Sequence, residues 1–306
     1  MLRVMTKRSI EIVEVGPRDG LQNERLVFST AQKIALINRA VAAGAKRIEV
    51  ASFVRADRVP QMADAEAVLA GLSLPADVVT IGLVMNDRGL DRALRTNVHE
   101  VGAVAVASDA FAAANQGQTS RESAAVCTRI IARARAEGRR AQATIAGAFG
   151  CPFGGEVDPA HVVSLVEEFA AAGPHEIAIA DTIGVAVPAQ VTDLIGRLKE
   201  RLPGFPIRIH LHNTRNTALA NAWAAIEAGA TTLDSALGGI GGCPFAPNAT
   251  GNVATEDLLY LCQRSGIATG YDLDRVIAAA HWLSDQFGRP LPAMVSRAGT
   301  FPKGTA

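Results

Sequence analysis

Two histidines separated by one residue, His210 and His212, are the most suggestive pair in the sequence. They fall at the end of a predicted strand, where alternate side chains point to the same face. Asp19, beside Arg18, adds a carboxylate at the end of another predicted strand. Two imidazole nitrogens and one carboxylate oxygen leave coordination positions open for substrate oxygens and water. Because this set contains no thiolate, we expect Mg²⁺ or Mn²⁺ rather than structural zinc.

Each of these motifs also has a simpler explanation. The His-x-His pair could be two ordinary hydrogen-bonded histidines, and Arg18 with Asp19 could be a salt-bridged turn. Their expected meeting at one end of one fold favours the metal site. Glu49, within the second predicted strand, and Asp181, at the end of the sixth, could be paired structural carboxylates. The other interpretation is that they orient metal ligands or move protons.

Cys243 follows the glycine-rich segment 238–242, after the eighth predicted strand. A free cysteine is most often a small buried hydrophobe. The glycines, however, predict a loop that moves, and a thiol above an active site can exchange a proton once closure excludes water. The other three cysteines, Cys127, Cys151 and Cys262, are expected to be structural, and no CxxC spacing is present. We expect all four thiols to be reduced.

Eight short runs rich in valine and isoleucine must position these residues. They are residues 10–15, 47–52, 78–84, 100–107, 141–148, 176–181, 207–212 and 231–237. Alanine-rich segments with helical spacing lie between them, including 30–43, 120–137, 159–172, 188–201 and 217–228. This alternation predicts an α/β fold, a (β/α)8 TIM barrel, with its active site at the carboxyl ends of the strands. The polar residues named above are concentrated at those ends.

One catalytic domain is expected to span residues 1–306, since no linker interrupts the pattern and 49% hydrophobic content can fill one large core. The barrel is predicted to cover about 10–265 and a short C-terminal helical extension about 266–306. Helical patterns at 255–264 and 273–287 complete the last unit and cap the barrel. The tail from Arg289 is expected to be loosely ordered.

The charge balance excludes two classes of partner. Lys and Arg total 30, as do Asp and Glu, so no broad positive field exists to hold nucleic acid or an anionic membrane. We find neither a signal peptide nor an apolar stretch of about 18 residues. A soluble, cytoplasmic protein is therefore expected.

Seven segments resemble the family of 3-hydroxy-3-methylglutaryl-CoA (HMG-CoA) lyases, and they occur in the family's order. They are residues 14–24, 52–54 with 59–62, 150–153, 181–185, 218–221, 239–246 and 251–258. The first reads Glu-Val-Gly-Pro-Arg-Asp-Gly-Leu-Gln-Asn-Glu and looks like the family's opening signature. The cysteine loop, followed by Gly-Asn, is typical of the lyase branch of a wider superfamily of metal-binding barrels.

The resemblance implies a metal-dependent enzyme that acts on an acyl-CoA, a possible homodimer or higher homo-oligomer, and a part in leucine degradation. It also implies residue roles: metal binding by Asp19, His210 and His212 with Asn252 as a further ligand or near-ligand, catalysis by Arg18, Cys243, Glu49 and Asp181, and substrate contacts by Arg18, Gln22, Ser52 and Thr182.

The family reaction is a retro-Claisen cleavage of HMG-CoA to acetoacetate and acetyl-CoA. A metal bound by the substrate's hydroxyl and carboxylate oxygens would polarise the incipient ketone. Arg18 would stabilise the thioester enolate oxygen, and Cys243 would deliver the proton that completes acetyl-CoA. Either Asp181 or His210 would take the hydroxyl proton, and the sequence leaves that choice open.

Two departures from the family pattern put substrate preference in question. After His212, family lyases commonly continue with Asp-Thr-Tyr-Gly, whereas this chain has Asn213, Thr214, Arg215 and Asn216. These side chains are expected to retune the pocket near the metal. Arg25 also stands where the family usually has lysine.

Three alternatives remain open. The first is a lyase for a related 3-hydroxyacyl-CoA, such as citramalyl-CoA or a longer branched 3-hydroxyglutaryl-CoA. The second is a transferase that runs the Claisen condensation forward, like isopropylmalate and homocitrate synthases, which continue into further domains. The third is a non-catalytic metal-binding barrel, against which the full set of catalytic residues argues.

Overall fold

Eight parallel strands close into a barrel in which each strand pairs with its neighbours in chain order. The computed structural model describes residues 8–242 and 251–302. The strands are β1 (Glu11–Glu14), β2 (Arg47–Ser52), β3 (Val79–Val84), β4 (Glu100–Val106), β5 (Arg140–Ala146), β6 (Ile177–Asp181), β7 (Ile207–Leu211) and β8 (Thr232–Ser235). The predicted (β/α)8 barrel is confirmed, and each predicted strand agrees with the observed bounds to within two residues.

Eleven helices accompany the strands in the described part of the chain. They are α1 (Thr30–Ala42), α2 (Ala65–Gly71), α3 (Asp87–Leu94), α4 (Asp109–Gln116), α5 (Ser120–Ala136), α6 (Pro159–Ala172), α7 (Pro188–Arg201), α8 (Ala218–Ala228), α9 (Thr255–Arg264), α10 (Leu273–Phe287) and α11 (Val295–Ala298). Ser29 and Thr119 begin α1 and α5 with capping boxes, which satisfy amides that the first turn leaves free. Within these residues, no helix combines the length and the apolar character needed to cross a bilayer.

An ionic cluster closes the amino-terminal end of the barrel lumen. Arg47 donates hydrogen bonds to Glu11 at 2.7 Å, Glu100 at 2.8 Å and Glu176 at 2.9 Å. Thr232 donates to Glu176 at 2.7 Å. We call these five residues the ionic plug. Because buried charges are costly without partners, the plug is stable only as a paired set.

The chain after α10 packs back onto the loop that follows β8. Leu291 and Ala293 are buried, and the Ala293 amide donates to the Gly238 carbonyl at 3.1 Å. Gly238 has a φ of 71°, and Leu291 occupies the space that a Cβ would need, so only glycine fits there. Asp257 accepts hydrogen bonds from two further amides of the same segment. The expectation of a loosely ordered tail is therefore wrong for residues 289–302.

Candidate active site

The turn after β1 carries the first two functional side chains. Gly16–Gly20 forms a π-helical turn in which the Val15 carbonyl accepts the amides of Arg18 at 3.1 Å and Gly20 at 3.2 Å. Below the turn, the buried Glu14 carboxyl accepts the Gly16 amide at 2.8 Å and the Leu237 amide at 2.9 Å. The ends of β1 and β8 are thereby tied together, which fixes the turn at the barrel mouth.

Asp19, His210 and His212 converge as predicted. The two Nε2 atoms lie 3.1 Å apart, and Asp19 Oδ2 is 3.5 Å from that of His212 and 3.8 Å from that of His210. All three ligand atoms fall within 4.8 Å of one another, and both histidines are buried. Facing nitrogen and carboxylate lone pairs would repel without a cation between them. The donor set therefore fits a divalent metal ion.

Asp234, on β8, orients the first of these histidines. Its Oδ2 accepts the Nδ1–H of His210 at 2.9 Å, and its Oδ1 accepts a hydrogen bond from Arg208 Nε. Burial works to raise the pKa of Asp234, but Arg208 and His210 prevail and lower it, so the group is a carboxylate. Because the Nδ1 proton of His210 is donated to Asp234, the lone pair of Nε2 faces Asp19. Metal ligation by Nε2 requires this tautomer.

Asn252 lies beside the cluster, close to its predicted place. Its Nδ2 donates to Asp19 Oδ2 at 2.9 Å and to the Ile240 carbonyl at 3.2 Å, while its buried Oδ1 has no hydrogen-bond partner. A bridge between His212 and Asn252 and the bond from the Asn213 amide to the Gly251 carbonyl hold the two chain segments together. An orphaned buried amide oxygen next to a candidate metal ligand supports the proposed position as ligand or near-ligand.

Arg18 and Glu49 form a buried pair on the wall of the same cavity. Arg18 Nη2 donates to Glu49 Oε2 at 2.6 Å, and Nη1 donates to Asp19 Oδ1 at 2.7 Å. Although burial acts to lower it, the Glu49 and Asp19 carboxylates raise the pKa of Arg18. Burial raises the pKa of Glu49, against the opposing charges of Arg18 and Arg208. Glu49 thus orients the guanidinium at the edge of the cluster.

Asp181 does not point into the cavity. Its Oδ1 accepts the Val185 amide at 2.9 Å and its Oδ2 accepts the Ala186 amide at 3.1 Å. Ala180 and Thr182, one residue to each side, line the cavity instead, since neighbouring residues of a strand face opposite ways. Both oxygens of Asp181 are thus bound by the loop before α7, and the catalytic role expected for Asp181 stays a prediction.

The cavity at the barrel mouth has about 830 Å³ of space, including its opening to solvent. Gln22 and Thr182, two of the predicted substrate contacts, line it, and Gln22 Oε1 is buried without a partner. Arg18, a third predicted contact, lines the cavity too. Ser52, the fourth, is buried at the end of β2 but does not line the cavity, and its hydroxyl has no partner among the described residues. Apolar walls come from Leu83, Met85, Val104, Phe111, Ala146 and Ala180.

The side chains that depart from the family pattern lie outside this cavity. Asn213, Arg215 and Asn216 line a separate surface pocket. Arg215 Nη1 donates to the carbonyls of Ile183 and Gly184, each at 3.0 Å. Asn252, which contacts Asp19, lines the same surface pocket, so an indirect influence of these residues on the metal pocket stays a prediction.

Cys243 lies outside the described residues. The loop immediately before it reaches the cavity, since Gly242 lines the rim and its carbonyl accepts a hydrogen bond from Asn23 Nδ2 at 2.6 Å. Cys127, Cys151 and Cys262 are buried free thiols, as expected of structural residues. Burial raises the pKa of Cys262 to about 11, which makes it inert as a nucleophile.

Asp234 and Arg208 are charged residues of the cavity that were not predicted from the sequence. A signal existed: Asp234 is the one charged residue of a four-residue strand, and it shares a face with Thr232. The register pairs Ile209 with Leu233, so the next residues along, His210 and Asp234, are neighbours.

Known proteins resemble this chain in sequence and in fold. Residues 9–283 match the HMGL-like family. The (R)-citramalyl-CoA lyase of Chloroflexus aurantiacus is 44% identical over 95% of this chain and 95% of its own length. The hydroxymethylglutaryl-CoA lyase of Bacillus subtilis is 37% identical, with 94% and 96% covered. The structure of an HMG-CoA lyase from Acinetobacter baumannii in complex with coenzyme A and 3-methylmalate aligns with a TM-score of 0.94, at 38% identity and 99% coverage of both chains. The chain thus belongs to the HMGL-like family and is a carbon-carbon lyase of the hydroxymethylglutaryl-CoA lyase type.

Proposed function

We propose that this enzyme cleaves HMG-CoA to acetoacetate and acetyl-CoA. The observation that carries the proposal is the meeting of two features in one cavity: the Asp19, His210 and His212 cluster and the Arg18 guanidinium beside it. The reaction needs a Lewis acid at the tertiary alcohol and a fixed cation at the thioester, and the contact between Asp19 of the cluster and Arg18 supports this division of roles. A cytoplasmic location and a part in leucine degradation accompany this proposal as predictions.

Asp19, His210 and His212, with Asn252 beside them, would hold the metal. A bound Mg²⁺ or Mn²⁺ would supply Lewis acidity to the substrate's hydroxyl oxygen. The protein's part is to fix the donors. Asp234 holds His210 in the tautomer that leaves Nε2 free, and Asn252 holds the Asp19 carboxylate.

Arg18 is the group we assign to the thioester enolate. Its two Nη atoms are held by Glu49 and Asp19, so its position is set before substrate binds. Its Nε is buried without a partner. A preorganised cation lowers the barrier because no reorganisation is needed when charge develops on the oxygen.

For the hydroxyl proton, both candidates, Asp181 and His210, are kept. Both oxygens of Asp181 accept amides of its own loop. His210 lines the cavity, but its Nδ1–H is donated to Asp234 and its Nε2 is one of the metal donors, so it would take the proton only when Nε2 is not bound to the metal. For the last proton transfer, to the enolate of acetyl-CoA, we assign Cys243; support comes from the rim position of Gly242, the residue before it.

A second candidate is cleavage of citramalyl-CoA. The 44% identity to the Chloroflexus (R)-citramalyl-CoA lyase favours it. So does the related structure that holds 3-methylmalate, which like citramalate carries a hydroxyl and a carboxylate on one carbon. The two candidate substrates differ by a single methylene between the carbinol carbon and the carboxylate.

Product identification and steady-state kinetics on both thioesters test the proposal. HMG-CoA yields acetoacetate, whereas citramalyl-CoA yields pyruvate. A kcat/KM at least tenfold higher for HMG-CoA, about 1.4 kcal/mol of differential transition-state binding, supports the main proposal. The reverse preference supports the second candidate. Cleavage of neither thioester would contradict both substrate assignments.

A further inference from the structure

Three consecutive residues of the chain after α10 lie against the turn that follows β8. Leu291 packs on Gly238, and the Ala293 amide donates to the Gly238 carbonyl at 3.1 Å. Between them, Pro292 lies beside Gly239, where an added methyl group would be 3.5 Å from the proline Cβ. Leu291 and Ala293 are buried. We call residues 291–293 the C-terminal clamp.

Gly238 is held from several sides at once. Its carbonyl is bound by the clamp, its amide donates to the Glu256 carboxyl at 2.9 Å, and Leu291 fills the space beside its Cα. Its φ of 71° is a conformation that other residues rarely adopt. The turn cannot shift at this residue without loss of these contacts, so the clamp fixes the path of the chain as it leaves β8.

Ile240, two residues further on, carries this position to the turn that contains Asp19. Its side chain is 1% exposed and lies directly on Gly20, where an added methyl group would be 2.7 Å from Cγ1 of Ile240. Gly20 follows Asp19 in the chain. Because packed interiors leave no free space for such a contact to relax, the place of Ile240 limits where Asp19 can lie.

A second contact of Ile240 reaches the same carboxylate. The Ile240 carbonyl accepts the Asn252 amide at 3.3 Å and Asn252 Nδ2 at 3.2 Å. That Nδ2 also donates to Asp19 Oδ2 at 2.9 Å. Packing through Gly20 and hydrogen bonding through Asn252 therefore converge on one candidate metal ligand.

We propose that the C-terminal clamp positions Asp19 and Asn252 for metal binding, acting through the turn 238–240. None of the three clamp residues lines the active-site cavity, so they are positioning residues rather than catalytic ones. Groups that orient metal ligands commonly control metal affinity although they never touch the ion. This inference rests on the function proposed above and adds a part of the chain outside the barrel to its metal site.

Leu291→Ala tests the clamp, because it removes the packing behind Gly238 and leaves every donor atom of the cluster in the chain. We expect the dissociation constant for Mn²⁺ to rise about tenfold, the lower end of the range for partners that orient metal ligands. Saturating Mn²⁺ should restore part of the lost turnover. Leu291→Met, which nearly conserves volume, should bring Mn²⁺ affinity back to within about twofold of wild type.

Leu165→Ala is the matched control. Leu165 lies on α6 and is 5% exposed, against 4% for Leu291, and it has no contact with the cluster. Both alanine variants should lower the thermal midpoint, since each leaves a cavity in the core. Only Leu291→Ala should weaken Mn²⁺ binding. Equal changes in Mn²⁺ affinity in the two variants, or no change in either, would show that Leu291 only supports the fold and would overturn the proposal.

Ile240→Val tests the route, because it removes the terminal methyl that lies on Gly20. If Leu291 acts through Ile240, the double variant should weaken Mn²⁺ binding by less than the product of the two single effects. Effects that multiply fully would mean that Leu291 acts elsewhere, against the proposal. Should Leu291→Ala fail to fold, Leu291→Val compared with Leu165→Val decides the same question with a smaller expected change.

The inference and the proposed function can fail separately. Wild-type enzyme that binds Mn²⁺ but cleaves neither thioester contradicts the function, and Mn²⁺ titration of the Leu291 and Leu165 variants still decides the clamp. Wild-type enzyme that turns over HMG-CoA, with Mn²⁺ affinity unchanged in Leu291→Ala, sustains the function and overturns the inference.

Discussion

The two ends of the barrel lumen are both charged, yet they are organised in opposite ways. In the ionic plug, Arg47 is surrounded by three carboxylates, and Glu176 is also bound by Thr232. At the mouth, the polar atoms that are buried without partners include Arg18 Nε, Gln22 Oε1, Ser52 Oγ, His212 Nδ1 and Asn252 Oδ1. Buried polar groups are normally satisfied, so a concentration of orphans at one end marks the end that awaits a ligand.

The plug also contains buried polar atoms without a hydrogen bond, Arg47 Nε and Glu100 Oε2. Glu100 Oε2 lies 3.4 Å from His175 Nε2 and 3.6 Å from Arg140 Nε. Glu100, His175 and Glu176 could on geometry alone hold a metal. The Arg47 guanidinium, however, already binds Glu100 and Glu176 and lies 3.3 Å from His175 Nε2. A cluster of charged groups alone therefore does not identify a metal site.

Removal of metal should have the largest effect and should act on the mouth alone. Chelator-treated enzyme should lose turnover, and Mg²⁺ or Mn²⁺ should restore it, because Asp19, His210 and His212 form an incomplete shell that substrate must finish. Turnover would be measured before and after readdition. Full activity of metal-free protein would contradict the cluster's assignment.

Replacement of Cys243 should have the next largest effect. Cys243→Ala should lower kcat by at least about a hundredfold, the usual scale for loss of a general acid or base, with little change in stability. Cys127→Ala and Cys262→Ala, at buried positions on α5 and α9, should instead cost mainly packing free energy. Kinetics and thermal unfolding of the three variants separate these effects. Equal behaviour of all three would make the loop cysteine structural.

A pair of substitutions on one strand separates mouth from plug directly. Asp234→Asn should weaken metal affinity or kcat by about ten- to a hundredfold, because His210 loses the acceptor that sets its tautomer. Thr232→Val, two residues earlier on β8, removes only a hydrogen bond to Glu176 and should cost about 1 kcal/mol of stability with activity retained. Mn²⁺ titration and denaturant unfolding would be run on both. Retained metal affinity together with an unchanged kcat in Asp234→Asn would refute its orienting role.

The sequence predicted the strands and long helices well because their periodicity extends over many residues. The short helices α2, α3 and α4, of seven or eight residues, were not among the predicted elements, since two turns give too little periodicity to recognise. The three residues of the candidate metal cluster, Asp19, His210 and His212, were predicted from residue type and spacing alone.

The errors at the site have a common physical origin. A sequence shows that Asp181 ends a strand, but the direction of its side chain depends on how the strand enters the barrel. Asp234 was missed because its partner lies on another strand, and the contacts of Arg215 could not be predicted because they are made to the loop after β6. The sequence predicted the elements themselves, but it did not predict the side-chain contacts between one element and another.

The smallest predicted effect is on the pH dependence of stability. Glu256, behind the mouth, and Glu176, in the plug, should contribute to it in opposite directions. Burial raises the pKa of Glu256 to about 8, with no cation among the causes to oppose it. In the plug, burial acts in the same direction on Glu176, but Arg208 and Arg47 prevail and lower its pKa. Glu256 therefore binds more protons when folded than when unfolded, and its stabilising contribution, complete below about pH 4.5, is lost as pH rises towards 8. Glu176 contributes above its unfolded pKa and loses its contribution in acid.

The two contributions can be separated by Glu256→Gln, which keeps an oxygen to accept the Gly238 amide but cannot ionise. Between pH 5.5 and 8 the wild-type free energy of unfolding should fall more steeply than that of the variant, by at most about 1.4 kcal/mol per pH unit for one proton. On the acid side, below pH 4, the two curves should run parallel, because the plug is unchanged. Urea unfolding at half-unit pH intervals measures both slopes. A variant whose slope matches wild type above pH 5.5 would mean that Glu256 is already ionised in the fold, and that the mouth is supported by charge, as the plug is.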